Sequence, residues 1–369
     1  MSIEGSITFL IDNLGSGGAQ KQIYVLCDLL AQKGYQIKVL CYHVYGDDFY
    51  SDPLQALGVE VVHFELASYR KRILTIGLYL RNNPSEFVFS YLYGANILAC
   101  LIKAIWLPKM KLIVSDRAGL VGPPSKRDKI RYQLYRFANR VFTNSIDISN
   151  QIIDRAPWLK KKTRTFWNIV EIPDSQFLTK NKKATFLIGA SYHDYKNHLR
   201  FMLACQYSIE NLGIDKNGFE VHCYGNFMLP DNAAHINRIQ KQIGQLGLED
   251  VFILHPATRE LYSKMKVADF IVLPSLFEGC PNVIIEGMSM GKPVMASDVC
   301  ANGYIIPAEG GYLFDPFSID DMANQIYKAL NTTATQRRKM GLENRKRCTE
   351  IFSAKNNLKV LEDALLEIK

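Results

Sequence analysis

The sequence has no run of about 20 apolar residues, the length that would span a bilayer, so it reads as soluble or peripheral to a membrane. It also has no C-x-x-C pair and no His-rich spacing. Its eight cysteines (Cys27, Cys41, Cys100, Cys205, Cys223, Cys280, Cys300 and Cys348) stand singly. That scatter speaks against a zinc site or a disulfide framework, and reduced, mostly buried thiols are expected. Internal repeats and low-complexity segments are absent. The opening residues, Met1 to Leu14, carry Glu4 and Asp12 and no basic leader, which does not fit a secretory signal and favours a cytoplasmic protein.

What is present is ordinary globular composition, 48% hydrophobic and 22% charged, over 369 residues. A single hydrophobic core stops growing below that length, so two domains with a cleft between them are expected. The net charge of +8 is unevenly spread. Residues 1–164 hold 22 Lys and Arg against 13 Asp and Glu, a net of +9, leaving 22 against 23, or −1, for the rest. The asymmetry predicts an anionic partner for the first half: a phosphate-bearing substrate, an acidic membrane surface or nucleic acid.

Short apolar runs alternate with helical-period segments, the pattern of parallel α/β sheets. In the first half the strands read as Ile7 to Ile11, Ile37 to Tyr42, Val59 to Phe64, Phe87 to Tyr91, Lys111 to Ser115 and Arg140 to Thr143. After a polar joint at Asn181 to Lys183 the alternation restarts. Its strands are Ala184 to Gly189, Glu220 to Gly225, Val251 to His255, Phe270 to Pro274 and Pro293 to Ser297. The expected organisation is a Rossmann-like domain over 1–170, a linker over 171–183, a second such domain over 184–350, and a last segment over 351–369. The stretch from Gln336 to Lys369 reads as helical, with Leu358, Leu361 and Leu365 on one face.

Doubly wound sheets bind ligands at the carboxyl ends of their strands, so the chemistry belongs in three loops. Asn13-Leu14-Gly15-Ser16-Gly17-Gly18 leads from the first strand into a helix, where glycines admit a ligand and the helix start favours an anion. A dinucleotide site there would want an acidic residue ending the second strand, which instead ends Cys41-Tyr42-His43. The second loop, Gly189-Ala190-Ser191-Tyr192-His193-Asp194-Tyr195-Lys196-Asn197, offers Lys196 to a diphosphate, or is a solvated surface turn. The third, Pro274-Ser275-Leu276-Phe277-Glu278-Gly279-Cys280-Pro281-Asn282, opens a helix that carries Glu286 eight positions beyond Glu278. An anion-binding helix start between two carboxylates that accept from hydroxyls describes a site for a nucleotide sugar.

At this point the chain resembles the retaining glycosyltransferases of family 4. The likeness rests on GSGGAQKQ, NSIDISNQI, WNIVEIPD, YKN, LPSLFEG, the E-x7-E of Glu278 and Glu286, and GKPVMASDV. The resemblance implies the GT-B fold of two Rossmann-like α/β domains facing across a cleft, with the C-terminal helix crossing back onto the first. It implies that Glu278 contacts the donor sugar and that Glu286 binds the ribose. It further implies that Lys196 holds the diphosphate beside Gly17 and Gly18, with Ser191, Asn197, Gly279, Cys280, Pro281 and Asn282 also binding the donor. Retention would proceed by attack from the face the nucleotide leaves, without a metal or other cofactor. The sequence departs from the family where Ala190 and Ser191 replace the usual Arg, where Cys300 to Tyr304 replace G-G-x-x-E, and where Ser115-Asp116-Arg117 stands in place of a His. Arg117 is the candidate for a phosphate on the acceptor.

The expected donor is a UDP-sugar and the expected acceptor a glycan or lipid diphosphate-linked glycan of bacterial surface-polysaccharide synthesis, O-antigen or capsule. The segment Lys126 to Phe137 is basic, with Ile130, Leu134, Phe137 and Val141 at helical spacing, and could rest on anionic headgroups at the inner face of the cytoplasmic membrane. The alternative is that its apolar stripe faces the core. Asp47 and Asp48 read as solvated. Two rival functions stay open: a nucleotide-sugar isomerase resembling the UDP-N-acetylglucosamine 2-epimerases, and a nucleic-acid-binding module, for which the E-x7-E has no use.

Overall fold

The computed structural model describes residues 5–43, 48–66, 68–117, 125–174, 182–226 and 230–369, the last with backbone alone for 230–233. The chain forms two compact units, Met1–Ile169 with Ala354–Lys369, and Val170–Ser353.

The first unit runs β1 (Ser6–Ile11), α1 (Gly18–Gln32), β2 (Gln36–Cys41), α2 (Ser51–Ala56), β3 (Glu60–His63), α3 (Tyr69–Asn82) and β4 (Phe87–Tyr91). It continues with α4 (Tyr93–Ile105), β5 (Leu112–Asp116), α5 (Lys126–Leu134), β6 (Arg140–Thr143), α6 (Ile146–Arg155) and β7 (Thr163–Thr165). Its parallel sheet has the order β3-β2-β1-β4-β5-β6-β7. The second unit runs β8 (Ala184–Gly189), α7 (His198–Leu212), β9 (Phe219–Gly225), α8 (Pro230–Gln245), β10 (Phe252–Pro256), α9 (Leu261–Val267) and β11 (Phe270–Leu273). It continues with α10 (Asn282–Ser289), β12 (Val294–Ser297), α11 (Asn302–Ile305), β13 (Gly311–Phe314), α12 (Ile319–Leu330) and α13 (Ala334–Phe352). This sheet is also parallel, in the order β10-β9-β8-β11-β12-β13. The last helix is α14 (Ala354–Leu366).

Each strand order reverses beside the unit's first strand, between β1 and β4 and between β8 and β11, the point where such sheets bind ligands. The central strands are apolar throughout because helices cover both faces: every residue of β4 and of β11 is buried. The helix behind the third candidate loop is likewise enclosed, with Val283 through Ser289 of α10 all buried.

Several details differ from the sequence reading. Strands β7 and β13 were not anticipated, because they are short, mostly half-buried edge strands without an unbroken apolar run. The helical stretch over Gln336 to Lys369 is two helices, broken at Ser353, which takes an extended conformation (φ −63°, ψ 146°). Beyond the break, Leu358, Leu361, Ala364 and Leu365 of α14 join the core of the first unit with Ile7, Phe9 and Leu26. Asp48 is half-buried rather than solvated, its Oδ2 accepting from Ser51 at 2.5 Å and lying 3.2 Å from His63. Asp47 lies outside the described residues.

The apolar stripe of α5 divides between the two readings. Ile130 is 58% exposed and Phe137, in the turn after the helix, 39%, whereas Leu134 packs against the core and Asp128, Arg131 and Tyr132 are buried. Val141 belongs to β6 instead. The buried Arg131 is tolerated because Asp116 and Asp128 each stand 3.2 Å from its guanidinium, and Tyr135 donates to Asp116 at 3.0 Å. A buried cation needs such partners.

Candidate active site

β8 and β11 are neighbours, with Phe186 opposite Phe270, so the loops that leave them emerge side by side at one edge of the sheet. The approach is close. A Cβ on Gly189 would meet Val283 of α10 at 3.0 Å and Leu261 of α9 at 3.1 Å, so this strand end admits little more than glycine. The loop then passes Ser191, half-buried, and forms a single 3-10 turn over Asp194–Lys196. Asn197 ends that turn in the left-handed region at φ 62°, which Asn tolerates better than most residues. Expected among the donor-binding residues, Asn197 has its side-chain amide engaged within the fold: Nδ2 donates to the Pro316 carbonyl at 3.0 Å and Oδ1 accepts from Arg200 at 3.0 Å. Its visible part is to set the turn that presents Lys196.

Three contacts join this loop to the one after β11. The Leu276 N–H donates to the Tyr195 carbonyl at 2.8 Å. The rings of Tyr195 and Phe277 stack at 5.0 Å and 23°. Lys196 Nζ lies 2.5 Å from Glu278 Oε1 and 5.2 Å from the centre of the Tyr195 ring. The two side chains are only 16% and 12% exposed, so the pair is largely desolvated. Such a pair can offer an ammonium to phosphate oxygens and a carboxylate to hydroxyls from one point in space.

Past Glu278 the chain crosses Gly279, half-buried, and Cys280 and Pro281, both buried, to open α10 at Asn282 with Pro281 at the N-cap and no side-chain cap. Glu286, about one turn into the helix, is 5% exposed. The Cys348 thiol of α13 reaches the Ile285 carbonyl at 3.3 Å and ties this helix down.

Two groups here were not singled out from sequence. The Tyr262 hydroxyl, at the start of α9, is buried without a hydrogen-bond partner. Burial pushes it up to about 12, with the charges of Glu171 and Glu286 adding to the effect, so it lies within the field of Glu286. The only signal was its place just beyond a strand end. His198, first in α7, is 3% exposed, packs on Tyr192 at 5.3 Å and has no partner for either ring nitrogen. Burial brings it down to about 3, and the Lys196 charge acts in the same direction.

The first unit holds the remaining candidates. Gly17 is the N-cap of α1 and its N–H donates to the Gly15 carbonyl at 2.8 Å; Gly18 opens the helix. The loop is braced by Asn13 Oδ1, which accepts from the Gly15 N–H at 3.0 Å and from Gln20 at 3.2 Å. Arg117 sits 5.2 Å from the Tyr91 ring centre and donates to Asn168 and Ser115. The next residue after Tyr91, Leu92, takes φ 72° and ψ 160°, a conformation nearly confined to glycine and commonest where function demands it. Among the described residues no cluster of three or more His, Cys, Asp or Glu could hold a metal ion, and no helix is long and apolar enough to cross a membrane.

Residues 182–332 match the family described as Glycosyl transferases group 1. Over 300 residues, 76% of each chain, the protein is 25% identical to the GalNAc-alpha-(1->4)-GalNAc-alpha-(1->3)-diNAcBac-PP-undecaprenol alpha-1,4-N-acetyl-D-galactosaminyltransferase of Campylobacter jejuni. It is 23% identical over 339 residues, 84% of each chain, to the UDP-Gal:alpha-D-GlcNAc-diphosphoundecaprenol alpha-1,3-galactosyltransferase of Escherichia coli. The fold matches that of Anabaena HepE in complex with UDP-glucose with a TM-score of 0.82, at 15% identity over 98% of this chain and 100% of the other. A glycosyltransferase from Rickettsia africae matches with a TM-score of 0.81, at 15% identity over 99% of both chains. The chain is a glycosyltransferase of the GT-B fold, and its residues 182–332 are a glycosyl transferases group 1 domain.

Proposed function

We propose that this enzyme is a retaining transferase of family 4 that moves a sugar from a UDP-sugar to a lipid diphosphate-linked glycan in bacterial surface-polysaccharide synthesis. The observation that carries the reading is the Lys196–Glu278 pair at the strand-order reversal. The named activities of the Campylobacter and Escherichia relatives, both on undecaprenol diphosphate-linked glycans, support the acceptor class, and the UDP-glucose complex of the similar fold supports the donor.

In this mechanism the bond from the anomeric carbon to the diphosphate oxygen breaks as the acceptor oxygen bonds to the same face of that carbon. The acceptor's proton passes to a departing phosphate oxygen. Lys196 and the backbone N–H groups about the start of α10 meet the charge that grows on the diphosphate, Glu278 orients the sugar, and Glu286 takes the ribose hydroxyls. Arg117 of the first unit serves a phosphate on the acceptor.

The same reading places the enzyme at the inner face of the cytoplasmic membrane. The outward side of α5 and the turn after it carries Lys126, Arg127, Lys129 and Arg136 with the exposed Ile130 and Phe137, and Trp158 nearby in sequence to α6 is 48% exposed. Cations interleaved with exposed apolar side chains suit an anionic lipid surface.

A thermal-shift series with UDP-, GDP- and ADP-sugars tests the donor. Binding to the native state raises the apparent stability, and a UDP-sugar should give the largest rise. A shift with a GDP-sugar alone would overturn the choice of base. Full transfer by both Lys196→Ala and Glu278→Ala would overturn the site.

A further inference from the structure

We infer that Phe277 is a sugar platform, its ring packing against the C–H face of a pyranose held beside Glu278. The inference rests on the glycosyltransferase site proposed above and adds to it a residue that reads the apolar side of the sugar.

Phe277 is 37% exposed although it immediately precedes the largely buried Glu278. Scattered exposed apolar residues are ordinary. Phe277 is held in place by its neighbours. One face lies on Tyr195 at 5.0 Å and 23°, and Tyr195 in turn lies on His193 at 5.6 Å and 15°. His235 meets His193 nearly edge-on, at 5.6 Å and 73°. Three nearly parallel rings are thus backed by a fourth. The main chain on either side is pinned as well, by the Leu276–Tyr195 hydrogen bond and the Lys196–Glu278 pair.

A ring fixed in this way loses little freedom when a ligand covers it. Its electron-rich face attracts weakly positive C–H groups, and phenylalanine has no polar group with which to bind hydroxyls. Next to a carboxylate that accepts from hydroxyls, this divides the recognition of a pyranose: Glu278 takes the polar edge and Phe277 the apolar face. The pyranose belongs to the donor or to the end of the acceptor glycan, and the experiment has an arm for each.

For the donor arm, the affinities of UDP and of UDP-galactose are measured by calorimetry in the wild type, Phe277→Ala and Phe277→Trp. For the acceptor arm, the KM for N-acetylglucosamine-diphosphoundecaprenol is measured in the same proteins with UDP-galactose as donor. Phe277→Ala should weaken UDP-galactose about tenfold with the affinity for UDP unchanged, or raise the acceptor KM about tenfold, and Phe277→Trp should restore most of the loss. A merely structural role would lower the affinities for UDP and UDP-galactose together and would not be rescued by Trp. Unchanged values in both arms while Glu278→Ala lowers kcat/KM by roughly 100-fold overturn the platform and leave the site standing. Full transfer by Glu278→Ala overturns the site beneath it.

Discussion

Lys196 and Glu278 are 82 residues apart in the chain and 2.5 Å apart in space. They meet because β8 and β11 are adjacent strands whose following loops share one edge of the sheet. Each loses solvent in the other's company, so the two should act as a unit. Lys196→Ala and Glu278→Ala are each expected to lower kcat/KM by roughly 100-fold, the scale of a lost preorganised charge. The double variant should fall well short of the product of the single losses, as coupled residues do. Steady-state kinetics on the four proteins of the cycle measure the coupling.

Tyr262→Phe separates stability from binding. The hydroxyl is buried without a hydrogen-bond partner, a state that costs about 1–3 kcal/mol, so its removal should leave the melting temperature unchanged or raise it. If the group serves the nucleotide beside Glu286, the same variant should bind the UDP-sugar several-fold more weakly. Calorimetry and a thermal melt on one preparation give both answers.

His198 predicts the acid limb of the stability curve. Its folded value of about 3 lies below the ordinary 6.5, so between those values the unfolded chain binds the proton and the native one does not. Stability therefore falls as pH drops from 6.5 toward 3, by up to about 1.4 kcal/mol per pH unit from this group, and the group has no effect above 6.5. His198→Gln should flatten that limb in urea titrations from pH 7 to 4. An imidazole signal of His198 titrating near 6.5 would contradict the assignment.

The membrane reading predicts that the protein sediments with phosphatidylglycerol vesicles and much less with phosphatidylcholine, and that added salt releases it. Ile130→Glu with Trp158→Ala should cut the vesicle-bound fraction several-fold. Both side chains are exposed, so the melting temperature should be nearly unchanged.

Leu361, fully buried in α14, packs into the core of the first unit. Leu361→Ala should destabilise that unit by about 2–5 kcal/mol, as truncation of a buried leucine does. Hydrogen exchange should show the added opening in β1 and α1, which share its core cluster, before it shows any in α10.

Most of the architecture was legible in the residues, because buried parallel strands leave unbroken apolar runs and the helices between them keep their own period. The strands from Ile7 to Ile11 and from Phe270 onward lie within a residue or so of where their apolar runs put them. Local pattern failed where burial depends on a distant partner. Nothing near Arg131 in sequence reveals that Asp116 neutralises it, so the apolar spacing of α5 left open which of its faces turns inward. The helical period ran on through Ser353 because each side of the break is a good helix, and only the core each side joins makes them two.

By itself the sequence singled out the loops proposed to carry the chemistry: a glycine-bounded turn ending in Lys196, and a helix opening framed by Glu278 and Glu286. Only the tertiary structure decided that Lys196 and Glu278 form one charge pair, that Tyr195 and Phe277 stack beside it, and that Asn197 sets a turn. The reason is physical. Residue type and spacing are written along the chain, whereas the meeting of two loops depends on strand order in the sheet, which the right-handed crossovers between strands establish only when the whole unit folds.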